Sequence, residues 1–106
     1  MPKFLIQAMY TLEGTKGVMK EGGTGRRNAV EQAIKGMGGK LDAFYFAFGQ
    51  TDVFLIADLP DAVSAAAVSL AVNSAGGAKT ITVPLMSPEE MDAASKKSVQ
   101  YRAPGR

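Results

Sequence analysis

The sequence predicts an α+β domain in the order β, α, β, β, α, β, with one four-stranded antiparallel sheet, two helices on one of its faces and a short extra helix at the end. Three observations carry this. Four segments are rich in strand-forming residues, and two segments between them repeat apolar residues at helical steps. Both helical segments then end alike, in Gly38-Gly39-Lys40 and in Gly76-Gly77-Ala78-Lys79, each running into a strand, so the chain reads as two βαβ halves. At 106 residues, 46% of them hydrophobic, the chain can bury a core of its own without disulfides or metal. The expected division is a domain over 1–97 and a loose tail over 98–106, because Ser98 to Arg106 carries little apolar surface.

The first strand, Lys3 to Thr11, places Phe4, Ile6, Ala8 and Tyr10 on one side and Leu5, Gln7, Met9 and Thr11 on the other. Five glycines between Leu12 and Gly25 predict a short helical turn followed by a flexible loop. From Arg26 the pattern is helical, with Val30, Ala33, Ile34 and Met37 as the apolar stripe. Lys40 to Phe48 and Asp52 to Asp58 form a hairpin through Gly49-Gln50-Thr51. Pro60-Asp61 opens a second helix with Asp61 as its cap; Val63, Ala67, Leu70 and Ser74 are its expected core side, leaving Ala65, Val68 and Val72 off it. Lys79 to Met86 is the last strand. Pro84 cannot donate to a ladder, which puts that strand at an edge, as right-handed crossovers in both halves also do for the second and fourth strands. Ser87-Pro88-Glu89-Glu90 is a capping box with proline at the first helical position, so a final helix runs to about Lys97.

The hairpin is apolar on both alternate rows. Two helices cover one face of the sheet, and the other keeps either Phe44, Phe46 and Phe48 or Ala43, Tyr45 and Ala47, beside Val53, Leu55 and Ala57 or Phe54 and Ile56. A patch of that kind exceeds what monomers usually leave in water. The expected partner is therefore a second copy, sheet face to sheet face, with higher oligomers open to the same logic.

Chemistry narrows by subtraction. The chain has no cysteine and no histidine, which removes thiol nucleophiles, the usual zinc sites, histidine-ligated haem and histidine acid/base catalysis. No two acids stand at a metal-loop spacing, so neither metal nor cofactor is expected. Twelve basic residues against ten acidic ones are too balanced for a nucleic-acid footprint, although Lys16, Lys20, Arg26, Arg27, Lys35 and Lys40 face only Glu21 and Glu31 between Gly14 and Lys40. No apolar run is long enough to span a membrane, and Met1-Pro2-Lys3-Phe4 enters a strand directly, so the expected location is the cytoplasm.

In the order and spacing of Tyr10-Thr11, Gly14, Lys16-Gly17, Gly38-Gly39-Lys40, Phe44-Tyr45, Gly49, Asp52, Pro60-Asp61 and Lys79-Thr80, the chain resembles the GYD domain family over Met1 to about Met91. That family is a branch of the dimeric α/β-barrel group, so the resemblance implies a ferredoxin-like subunit and a dimer. It supplies no reaction. Two departures stand out: Thr51 occupies the place of the motif tyrosine, and a glycine-rich Glu21 to Arg26 replaces the usual serine-proline-x-arginine approach to the helix.

The leading functional expectation is a binding domain without catalysis, taking a small apolar or aromatic molecule between sheet and helices. Tyr10, Lys20, Tyr45 and Asp52 are its candidate polar groups. The alternative is a cofactor-independent oxygenase or isomerase acting on aromatic or lactone substrates, as the wider group implies, with Asp52, Tyr45 or Lys20 doing acid/base work. A third reading gives Arg26 and Arg27, after the glycines, an anion to hold. A fourth is a regulatory or protein-interaction subunit using the apolar second helix.

Overall fold

The computed structural model describes all residues 1–106. The elements are β1 (Lys3–Tyr10), α1 (Leu12–Glu21), α2 (Gly23–Gly36), β2 (Lys40–Phe46), β3 (Val53–Asp58), α3 (Ala62–Ser74), β4 (Ala78–Leu85) and α4 (Pro88–Ser95). The strands make one antiparallel sheet in the order β2-β3-β1-β4, so the first and third strands are central and Pro84 lies on an edge strand. No helix is long and apolar enough to cross a membrane.

Register decides which residues meet. Phe4, Ile6 and Ala8 stand opposite Ala57, Leu55 and Val53, so one row of each central strand shares a face. With Ile34 of α2, Leu59 and Ala65 of α3, these residues form the buried core. On β2 the pairing shifts between Leu41 and Ala43, leaving Asp42 as the extra residue. The bulge turns both Leu41 and Phe44 toward the helices, where a regular strand would have pointed them to opposite faces. The hairpin is slightly shorter than expected, β2 ending at Phe46, although the Ala47 N–H still donates to the Asp52 carbonyl at 2.8 Å.

Two expectations about helices are corrected. The segment from Leu12 to Gly25 is not a turn and a flexible loop: α1 occupies ten residues of it and α2 starts at Gly23, three residues before Arg26. Thr11 caps α1, accepting from the Gly14 N–H, while its own hydroxyl donates to the Gly76 carbonyl at 2.9 Å. Gly14 is there for close approach, since a Cβ would collide with the Gly77 carbonyl oxygen. Gly22, at φ +86°, turns the chain from one helix into the next. A glycine count reads as flexibility only when no neighbour explains each glycine.

The second correction concerns α3. Val63 and Leu70 are 78% and 71% exposed, whereas Ala65 is buried and Val68 packs on the core. The inward side is thus the one expected to face away. Alanine and valine surround this helix, so its period carries little directional signal. Its orientation comes from Asp61, whose carboxylate accepts from the Ser64 N–H at 2.8 Å, and from the wholly buried Leu59 just before it. On α2 the inward residues are Val30 and Ile34, while Ala33 and Met37 are exposed.

The far edge of β4 is tied to α3, because Asn73 Oδ1 accepts from the Thr80 N–H at 2.9 Å and Ser69 meets the Thr80 hydroxyl at 3.0 Å. Both halves of the capping box form on α4, yet none of its residues is buried.

Candidate functional site

Two surfaces are set up by this framework. The first is the sheet face opposite the helices, carrying Leu5, Met9, Ala43, Tyr45, Phe54, Ile56, Ile81, Val83 and Leu85. Tyr45 is 71% exposed and Ile81 50%. Its charges sit at the margins. At one corner the Lys3 ammonium is held by Asp42 and by Asp58, the latter at 2.9 Å, and these two hydrogen bonds raise its pKa above the ordinary lysine value.

The second is a cavity of about 410 Å³ between the sheet and the helices. Ile6, Ala8, Val53, Leu55 and Ala78 form its floor, Val30 and Ile34 of α2 one wall, Val68 and Val72 of α3 the other, and Gly14, Gly17 and Val18 of α1 close it. The cavity keeps an opening to solvent, with Gly17, Ala71 and Ala75 of its lining exposed. It exists because small residues stand where helices would otherwise fill it: Gly17 has no neighbouring atom within 4 Å of a Cβ position, and Ala71, Ala75 and Gly77 line the α3 end.

Four side chains bring polarity to this apolar space: Tyr10 at the end of β1, Glu21 at the end of α1, Arg26 in the first turn of α2 and Thr80 on β4. The Arg26 guanidinium donates from Nη1 to Glu21 Oε1 at 3.3 Å, and both side chains keep part of their surface in water, 37% and 41%. They therefore mark where the cavity meets solvent. Tyr10 is partly buried, and burial is the main cause of its pKa lying above the ordinary phenol value, with Asp52 and Glu21 adding and Arg26 opposing. At neutral pH it is a hydroxyl donor.

The expected site residues scatter. Tyr10 lines the cavity, while Tyr45 stands on the opposite face of the sheet and Lys20 is exposed in the last turn of α1. The Asp52 carboxylate is engaged elsewhere, accepting from the Tyr10 backbone N–H at 2.8 Å, which holds the hairpin loop to the end of β1. Arg26 and Arg27 separate too: Arg27 borders a shallow groove with Phe44 and Phe46 at the β2 edge. The Glu21–Arg26 pair was hidden in the sequence because five residues apart on one helix would set the two side chains on different faces. The break at Gly22 brings them together.

The family model of the GYD domain matches residues 4–95. This chain belongs to the GYD domain family. No curated protein and no solved structure matches it. The match runs from within β1 to the end of α4, so both surfaces lie within the matched residues.

Proposed function

We propose that this GYD domain is a homodimeric binding protein for a small, mainly apolar molecule, held in the cavity between sheet and helices. The observation that carries the reading is the cavity itself, whose volume of about 410 Å³ falls among ligand pockets of roughly 300–1,000 Å³ that combine apolar walls with a few convergent polar groups. The subunit is read as ferredoxin-like, on its βαββαβ core with the helices gathered on one face. The dimer is read as an α/β barrel of two sheets, on the uncovered sheet face that carries Tyr45, Phe54, Ile56, Ile81 and Val83. Cytoplasmic residence and freedom from metal, cofactor and nucleic acid belong to the same reading. A cofactor-independent oxygenase or isomerase has less support. Asp52, Tyr45 and Lys20 do not share the cavity, and Tyr10, the one phenol in it, is held protonated.

Thermal-shift screening with small aromatic and aliphatic compounds, beside native mass spectrometry of protein purified without additives, tests this. A ligand at about 100 times its Kd stabilises by about 2.7 kcal/mol, several degrees for a domain of this size. Gly17→Leu adds a side chain at the cavity lining without a clash at Cβ and is expected to abolish the shift while leaving the fold intact. No retained molecule, no shift from any compound and unchanged behaviour of the variant would overturn the reading.

A further inference from the structure

The polar groups of the cavity are unbalanced in kind. The Arg26 guanidinium has five N–H donors and spends one of them, on a single long contact to Glu21. The Tyr10 hydroxyl makes no hydrogen bond within the chain and is a donor at neutral pH. Against these donors, the acceptors on the lining side chains are Glu21 and the Thr80 hydroxyl, and Thr80 is already joined to Ser69 at 3.0 Å. Glu21 is the one acidic residue of the lining; Asp52, whose charge also acts on Tyr10, lies outside it with its carboxylate on a backbone N–H. Glu21 thus stands in the place of an acceptor, at the mouth, partly solvated, and attached to a helix that buries none of its residues.

We propose that the cavity takes a small monocarboxylic acid with an apolar body, whose carboxylate displaces Glu21 from Arg26 and accepts a further hydrogen bond from Tyr10. The proposal rests on the binding reading above and names the ligand's head. A guanidinium pairs a carboxylate through two parallel N–H donors, a geometry that the single Glu21 contact leaves unused. Displacement also has a mechanical consequence. Glu21–Arg26 is the side-chain bond that ties the C-terminal end of α1 to α2 across the glycine at φ +86°, whereas the other end of α1 is pinned by Thr11 to the carbonyls of Gly76 and Gly77. Exchange of Glu21 for the ligand's head therefore releases the free end of α1 at the moment the mouth is occupied.

The test is titration calorimetry with matched probes, trans-cinnamate against cinnamamide and hexanoate against hexanamide, on the full chain and on Arg26→Gln and Glu21→Gln. Each acid is expected to bind about tenfold or more tighter than its amide, the difference that hydrogen bonds to a charged partner supply. Arg26→Gln should erase that preference. Glu21→Gln should tighten the acids about tenfold by removing their competitor. A role confined to holding the two helices together predicts no gain from Glu21→Gln. Equal binding of acid and amide, or no gain in Glu21→Gln, overturns the carboxylate inference and leaves the binding protein standing. Failure of all four probes, alongside an unshifted broad compound screen, overturns both. If Arg26→Gln does not fold, the Glu21→Gln titration decides alone.

Discussion

Replacing Tyr45 by lysine puts a charge on the uncovered sheet face, on its edge strand β2. Tyr45 is 71% exposed and stands across from Phe54, with Ala43 beside it on the same strand. An aromatic side chain offers about 200 Å² for burial, so roughly 140 Å² of Tyr45 is there to be covered in each subunit. At about 25 cal/mol per Å² this amounts to about 3.5 kcal/mol as an upper figure. Aromatic anchor residues of interfaces typically give back about 2–4 kcal/mol on truncation, because ordering and polar desolvation take the remainder. A two-fold dimer carries the residue twice, so Tyr45→Lys should weaken association by about 4 kcal/mol, close to 1,000-fold in the dissociation constant. Sedimentation velocity over a dilution series reads this directly. Val63→Lys, on the outward side of α3, serves as the control and should associate like the wild type. Tyr45→Lys protein that associates as tightly as wild type, or wild-type protein that stays monomeric at every concentration, refutes the reasoning.

Two glycines of α1 should respond with opposite sign. Gly14→Val forces a side chain against the Gly77 backbone carbonyl, which cannot rotate away, and should cost about 1–3 kcal/mol in urea unfolding. Gly17→Ala meets nothing within 4 Å and should instead stabilise by up to about 1 kcal/mol through the lost entropy of the unfolded chain; equal effects at the two positions would contradict the packing described. Tyr10 has a folded-state pKa raised above 10.0 by burial, so the native state holds its proton longer than the unfolded state. The stability this contributes is complete below the unfolded value and is lost as pH rises through the folded one. Tyr10→Phe should flatten the alkaline limb of the stability profile, and the wild-type-minus-variant absorbance titration should show a phenol ionising above the ordinary range.

Much of the fold was legible because it rests on local patterns that few alternatives satisfy. The capping box at Ser87, the cap at Asp61, the edge position of Pro84 and the double glycine endings each follow from backbone chemistry within a few residues. The residues of the site were less legible. Tyr45 lies in an apolar strand and Asp52 just before one, and such polar groups serve a pocket, a sheet face or a backbone N–H equally well until register chooses. Tyr10 alone fell on the row that turns inward, opposite Ala78.

By itself, the sequence determined the order of the strands and principal helices, the apolar character of both sheet faces and the absence of histidine and cysteine chemistry. It also carried the family. Those properties are additive along the chain or set by neighbours a few residues away. Only the tertiary structure decided that the glycines of α1 and its junction serve close packing and a turn, and that α3 presents Ala65 and Val68 inward. It likewise brought Glu21 to Arg26 at the mouth of a cavity. Each of these depends on what stands opposite: a carbonyl of Gly77, the cap and anchor at Asp61 and Leu59, and the change of direction at Gly22 that joins two helices which, in one line, would have kept that pair apart.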